Sequence, residues 1–205
     1  MTSWALLALK APDSGKSRLA AVLSPAERDT LMRTMLDHVM HAIAGARRID
    51  RVAIVTQWVD ALPGAVLALP DPGLGLNEAI ESGARAVAAL GARELLVLHA
   101  DLPRLRSAEI DALVLQGRDT GCAIAPDRHG SGTNALYLSP PGGFEFRFGA
   151  GSFERHLREA GACGREASIV SLPGFAFDVD EPADLEALAE TALVEPLEQG
   201  IRSNA

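Results

Sequence analysis

Leu95-Leu96-Val97-Leu98-His99-Ala100-Asp101-Leu102-Pro103 is the stretch that decides the fold. Four apolar residues in succession read as a strand covered on both faces, as at the centre of a mostly parallel sheet. Pro103 has no N–H to give to a ladder, so the strand stops near Asp101. A carboxylate therefore stands at the carboxyl end of a central strand, the edge at which open α/β sheets bind ligands. Such an Asp, taken alone, as often caps the next helix. A second acidic pair, Asp178-Val179-Asp180, also follows an apolar segment, and alternation puts its carboxylates on one side of an extended chain. Three carboxylates from two strand ends could hold a hard divalent cation such as Mg²⁺.

Outward from this strand, apolar runs alternate with helical patterns, which predicts βαβ units: an α/β fold with a mostly parallel central sheet and helices on both faces. Trp4–Leu9 is the first strand. A polar loop through Arg18 follows it, and Ser24-Pro25-Ala26-Glu27 is a capping box with proline at the first helical position. Leu31, Met35, Val39 and Ile43 recur at helical spacing. Val52–Val55, ending at Thr56, and Val66–Leu69 are the next strands. Asn77 is the expected N-cap of a helix through Leu90, after a turn in which Asp71 either reaches a ligand or, by its chemistry, serves the turn. Ser107 is the expected cap of a helix to about Gln116. Cys122–Ala125 and Asn134–Ser139 are strands that could pair as a hairpin, making one part of the sheet antiparallel. Ser152 opens a further helix, Ile169-Val170 is a short strand, and a last helix runs from Asp180-Glu181-Pro182 to about Leu193. One domain is expected over 1–194, with a frayed tail over 195–205.

The chain has 205 residues, 48% of them apolar, enough for one α/β core. No apolar run approaches a membrane span, and no basic start followed by a long apolar stretch signals secretion. Cys122 and Cys163 lack metal-ligand spacing and read as buried free thiols of a reducing cytosol. A net charge of −8 without a basic patch argues against nucleic acid, but does not exclude a small anionic substrate.

Lys10, Lys16 and Arg18 follow the first strand, where cations can grip phosphate. Gly15-Lys16-Ser17 suggests a P-loop, but that pattern needs a glycine where Lys10 stands. Between two strands, Gly132-Thr133-Asn134 offers either close backbone approach with hydrogen-bonding side chains or a plain turn. Phe148-Gly149-Ala150-Gly151-Ser152 is a glycine-containing approach to a helix capped by Ser152, an arrangement suited to an anion. His156 reads as a surface histidine, and His99 as a satisfied neighbour of the core strand.

In order along the chain stand Lys10, then Lys16-Ser17-Arg18-Leu19, Gly75-Leu76-Asn77, Asp101-Leu102-Pro103, Gly132-Thr133-Asn134, Phe148-Gly149-Ala150-Gly151-Ser152-Phe153 and Asp178-Val179-Asp180. This series resembles the guanylyltransferases of coenzyme F-420 biosynthesis from residue 4 to about residue 190. The resemblance implies a nucleotidyltransferase fold like that of glycosyltransferase-A domains. It also implies a cytoplasmic, Mg²⁺-dependent enzyme in which 2-phospho-L-lactate, phosphoenolpyruvate or 3-phospho-D-glycerate attacks GTP and releases pyrophosphate. By the same resemblance Asp101, Asp178 and Asp180 would hold metal. Thr133, Gly149 and Ser152 would hold the acid with Lys10 nearby, Lys16 and Arg18 would meet the triphosphate, and Thr56 and Asn77 would lie near the guanosine. A downstream transferase would use the guanylated product. The alternatives are a molybdenum-cofactor or sugar-phosphate nucleotidyltransferase, whose glycine-rich first loop is missing here, a non-catalytic nucleotide sensor of the same fold, and a P-loop kinase.

Overall fold

A computed structural model gives the structure and describes residues 2–9, 16–57, 62 and 66–188. Lys10, and the tail expected from residue 195, lie outside the described residues. Seven strands form one sheet: β1 (Ser3–Ala8), β2 (Arg51–Thr56), β3 (Leu67–Pro70), β4 (Glu94–Leu98), β5 (Gly121–Pro126), β6 (Thr133–Leu138) and β7 (Glu166–Ile169). Their order across the sheet is β3-β2-β1-β4-β6-β5-β7. Every pairing is parallel except those of β6, which runs antiparallel to both β4 and β5. The helices are α1 (Pro25–Gly45), α2 (Leu76–Ala89), α3 (Ser107–Thr120), α4 (Ser152–Ala162), the short α5 (Pro173–Ala176) and α6 over 182–188.

The central strand is as dry as its composition demands: Leu95 and Val97 pack into one core, Leu96 and Leu98 into the other. On one face Val39, Ile43, Ile110 and Leu113 bring in α1 and α3. On the other, Ile80, Ala84 and Val87 bring in α2, and Ala160 brings in α4. Phe144, Phe146 and Phe148 join that second core by simple alternation, so the irregular stretch after β6 is held down side chain by side chain.

The capping box of α1 forms as the sequence demands: the Glu27 N–H donates to Ser24 Oγ, and the Ser24 N–H donates to Glu27 Oε2 at 2.8 Å. Three expected caps move. Gly75, Arg106 and Gly151 are the N-caps of α2, α3 and α4, so Asn77, Ser107 and Ser152 fall inside the first turn of each helix. Gly75 and Gly151 are at positive φ, which a capping Asn or Ser adopts less readily. The Asp71 carboxylate accepts the Gly73 N–H at 2.9 Å and serves its turn. The last strand ends one residue earlier than expected, at Ile169.

In α3, Gly117 lies against the buried ring of Tyr137, and an added Cβ would fall inside the van der Waals envelope of that ring. Alanine favours a helix over glycine by about 1 kcal/mol, but overpacking a core costs about 1–3 kcal/mol. Gly117→Ala should therefore lower thermal stability by several degrees despite its better propensity. An unchanged or raised melting temperature would show that the Tyr137 ring gives way.

Candidate active site

The antiparallel run of β6 decides what gathers at the carboxyl end of β4. A reversed neighbour begins where β4 finishes, so Thr133 and Asn134 arrive beside Leu98 and His99. The His99 N–H donates to the Asn134 carbonyl at 3.1 Å. Asn134 in turn donates through Nδ2 to the Phe175 carbonyl at 2.8 Å and stands 3.4 Å from Asp178 Oδ1. The acidic pair thus reaches the end of β4, although by another route than expected. The segment before it is helix α5, and Asp178–Asp180 is irregular chain rather than a strand end.

Val179 between the two acids is wholly buried, in a small core with Leu19, Met35 and Phe177. Leu19 belongs to a 3-10 turn, Ser17–Ala21, in the stretch after β1. This apolar contact carries Lys16 to the carboxylates. Lys16 Nζ donates to Asp101 Oδ2, and to Asp180 Oδ1 at 2.7 Å. Its backbone is left-handed, φ 53° and ψ 43°, the only positive φ of a non-glycine among the described residues. That conformation costs about 1–2 kcal/mol, and two charge-assisted hydrogen bonds hold it in place.

Burial pushes the Lys16 ammonium toward neutrality, but the two carboxylates outweigh it and raise its pKa above the usual value. Burial pushes Asp101 up, yet Lys16, with His99 behind it, holds that carboxyl below its usual range. Asp178 goes the other way: burial and the charges of Asp101 and Asp180 raise it. Asp101 Oδ1 is buried and has no hydrogen-bond partner among the described residues. These are hard oxygen donors, one of them orphaned and one short of positive charge, and they fit the chemistry of a divalent cation. As arranged here, however, no three acidic, His or Cys side chains among the described residues stand so that they could hold a metal ion; the Lys16 ammonium bridges two of the carboxylates instead.

Arg18 is on the rim, 3.3 Å from Glu181, with both side chains well exposed. Asp184 Oδ2 accepts the N–H groups of Asp180 and Glu181 at 2.7 and 2.8 Å. Arg128 bonds both Asp184 and the Asp178 carbonyl. These two residues, missed in the sequence, fix the acidic segment; the acid four positions after Asp180 was the available signal.

A second group of polar residues is adjacent. Thr133, Ser152 and His156 are buried. The Thr133 N–H donates to Ser152 Oγ at 2.9 Å, and His156 Nδ1 is 3.0 Å from Thr133 Oγ1. Gly149, at φ +111°, occupies the approach to α4. Asn77 reaches the same approach, its Nδ2 donating to the Phe148 carbonyl at 3.2 Å and its Oδ1 accepting the Phe148 N–H at 2.7 Å. Its amide thereby ties α2 to the Gly149 loop. Thr56 is buried at the end of β2, two strands from β4.

His156 corrects the surface reading. It is packed between Phe144 and Phe148, at ring distances of 5.8 and 4.7 Å. Ser152, His156 and Ala160, four apart, form the buried stripe of α4, and that spacing was the legible signal. His99 is likewise not satisfied: its Nε2 is buried without a partner among the described residues.

Burial, with Arg155 and His99 nearby and Glu159 opposing, lowers the His156 pKa to about 4. The unfolded chain then takes up a proton before the folded one as pH falls. The resulting stability is whole above about 6.5 and is lost as pH falls toward 4, by about 3 kcal/mol for this group. His156→Gln should flatten that part of the stability–pH profile in thermal denaturation. An unchanged profile would place the proton uptake elsewhere.

A sheet of this order, with hydroxyls and carboxylates gathered at the end of its central strand, is the nucleotidyltransferase fold. Solved structures share the fold. One from Desulfovibrio desulfuricans G20, classed as a nucleotide-diphospho-sugar transferase, aligns at TM-score 0.76 with 18% identity over 93% of this chain and 88% of that one. A 4-diphosphocytidyl-2C-methyl-D-erythritol synthase aligns at 0.63 with 16% identity over 91% and 97%. Residues 3–190 match the family described as guanylyl transferase CofC like, and the chain belongs to that family of guanylyltransferases. A phosphoenolpyruvate guanylyltransferase of Sphaerobacter thermophilus is 45% identical over 95% of this chain and 96% of its own. A 3-phospho-D-glycerate guanylyltransferase of Phenylobacterium zucineum is 37% identical over 90% and 88%. Membership sets aside the P-loop kinase and the other nucleotidyltransferases weighed above.

Proposed function

We propose that the protein transfers GMP from GTP to phosphoenolpyruvate, or to a three-carbon phosphorylated acid close to it, in coenzyme F-420 biosynthesis. The observation that carries this reading is the convergence of Lys16, Asp101 and Asp180 beside the Thr133–Ser152 hydroxyl pair. The first group answers a triphosphate with its counter-ions, the second a small oxyanion. Relatives up to 45% identical over nearly the whole chain are named for phosphoenolpyruvate, which makes that acid the first choice.

A phosphate oxygen of the acid attacks the α-phosphorus of GTP. The bond from that phosphorus to the β-phosphate bridging oxygen breaks, and pyrophosphate leaves with the electron pair. No protein nucleophile is required. Mg²⁺, held by Asp101, Asp178 and Asp180, would neutralise charge between the two anions. Lys16 presents its ammonium to the same phosphates, and Arg18 stands at the rim where a triphosphate tail can reach it. Thr133 and Ser152 hold the acid's oxygens, with the Gly149 backbone alongside. Asn77 keeps the Gly149 loop against α2, beside the guanosine side of the cleft.

Cys122 is buried as expected, whereas Cys163, near the end of α4, is only partly so; both are free thiols, in keeping with a cytoplasmic enzyme. No helix of the described residues is long and apolar enough to cross a membrane. The guanylated acid would pass to a transferase that displaces GMP from it. Purified protein with GTP and Mg²⁺, offered each of the three acids, should yield a GMP adduct and pyrophosphate with phosphoenolpyruvate foremost. No adduct with any acid by mass spectrometry, or equal turnover with CTP, would overturn the reading.

A further inference from the structure

The hydrogens of the buried Thr133–Ser152–His156 group can be placed by elimination. The Arg147 backbone N–H points at His156 Nε2 from 3.0 Å. A backbone N–H can only donate, so Nε2 must be the lone-pair nitrogen of a neutral imidazole. The proton is therefore on Nδ1, 3.0 Å from Thr133 Oγ1. The opposite tautomer would aim two N–H groups at each other inside a core where an unmet donor is costly. With Nδ1–H donating into Thr133 Oγ1, the threonine hydroxyl hydrogen must turn elsewhere. The same holds at Ser152, whose Oγ accepts the Thr133 N–H at 2.9 Å. Two neighbouring hydroxyls thus each have one lone pair taken by a protein donor, and each retains its own O–H to give.

We propose that His156 is a positioning residue for the acid substrate: through its Nδ1–H it turns the Thr133 hydroxyl hydrogen away from the imidazole, so that Thr133 and Ser152 can each give an O–H to an oxyanion. This rests on the reading that these hydroxyls face the acid. An arriving oxyanion can accept both O–H groups, whereas an ammonium, with donors and no acceptor, could take neither. Phe144 and Phe148 keep the imidazole dry and in one orientation, and burial keeps it uncharged at neutral pH.

Two substitutions separate the nitrogens. The amide of Asn reaches the Nδ1 position, whereas Gln reaches only Nε2. His156→Gln should raise the KM for phosphoenolpyruvate about tenfold, the worth of a hydrogen bond to a charged group, and leave the KM for GTP within about twofold. His156→Asn should stay within about threefold of the wild type for both. Thr133→Val should raise the phosphoenolpyruvate KM by itself, and adding His156→Gln to it should do little more, because the hydroxyl on which His156 acts is gone. Equal effects of His156→Gln on both substrates, multiplying losses in the double variant, or failure of Asn to rescue would show that His156 only packs the core. An unchanged phosphoenolpyruvate KM in Thr133→Val would instead remove the acid from this place, and the proposal with it.

Discussion

Asp101→Asn should cut turnover at least about a hundredfold while the protein remains folded. The substitution keeps the shape of the side chain and removes its charge, at the one carboxylate of the site that has a buried oxygen without a partner. Lys16 would keep its bond to Asp180, so the first loop is not set free. The structural cost is therefore well below the 3–5 kcal/mol that stranding a buried charge entails; a drop in melting temperature of less than about 10 °C is expected. On the proposed mechanism the catalytic cost is large, because two phosphates are brought together and Asp101 would help to hold the compensating cation. Steady-state pyrophosphate release, beside a melting curve, tests both halves. Near-normal turnover would reject Asp101 as the centre of the site.

Lys16→Met should be as severe, for the converse reason. It leaves Asp101, Asp178 and Asp180 facing one another without their ammonium. Like charges about 4 Å apart repel by on the order of 4 kcal/mol per pair at an effective dielectric near 20, and Asp178 is already raised by its neighbours. GTP affinity measured by calorimetry with Mg²⁺ present should fall at least about tenfold, and turnover about a hundredfold or more. Lys16→Gly separates charge from backbone. Glycine adopts the left-handed conformation freely, so this variant should be as inactive as Lys16→Met but more stable. Arg18→Ala, at an exposed rim pair, should weaken GTP much less. A Lys16→Met enzyme with unchanged GTP affinity would show that the ammonium serves the fold alone.

The parts of the site legible in the sequence were those written in consecutive residues. An apolar run ending in Asp-Leu-Pro marks a strand and its end, and the reversed pairing of β5 with β6 was open to view as two strands around a tight turn. Three things were hidden, each for its own reason. Gly75 and Gly151, both at positive φ, took the cap positions from Asn77 and Ser152, and the side-chain preferences that mark a cap in sequence say nothing of that backbone choice. His156 is as polar in sequence as a surface histidine, and only its spacing from Ser152 and Ala160 hinted at the core position that Phe144 and Phe148 complete. The Lys16 contacts depend on Leu19 docking against Val179, and no local pattern encodes an apolar contact across most of the chain.

Lys16 and Asp180 are 164 positions apart, and this separation orders events during synthesis. A growing chain delivers Lys16 at the outset and Asp101 midway. Once β7 has emerged it holds every strand of the sheet, together with Thr133, Ser152 and His156. Phe177, Val179 and Asp180 are still to come, so Leu19 has nothing to cover it from that side and the Lys16 ammonium has one carboxylate instead of two. The scaffold can thus be complete while the chemistry is not. Chains released after β7 but before Phe177 should be compact but inert, and would not consume GTP in a half-built cleft.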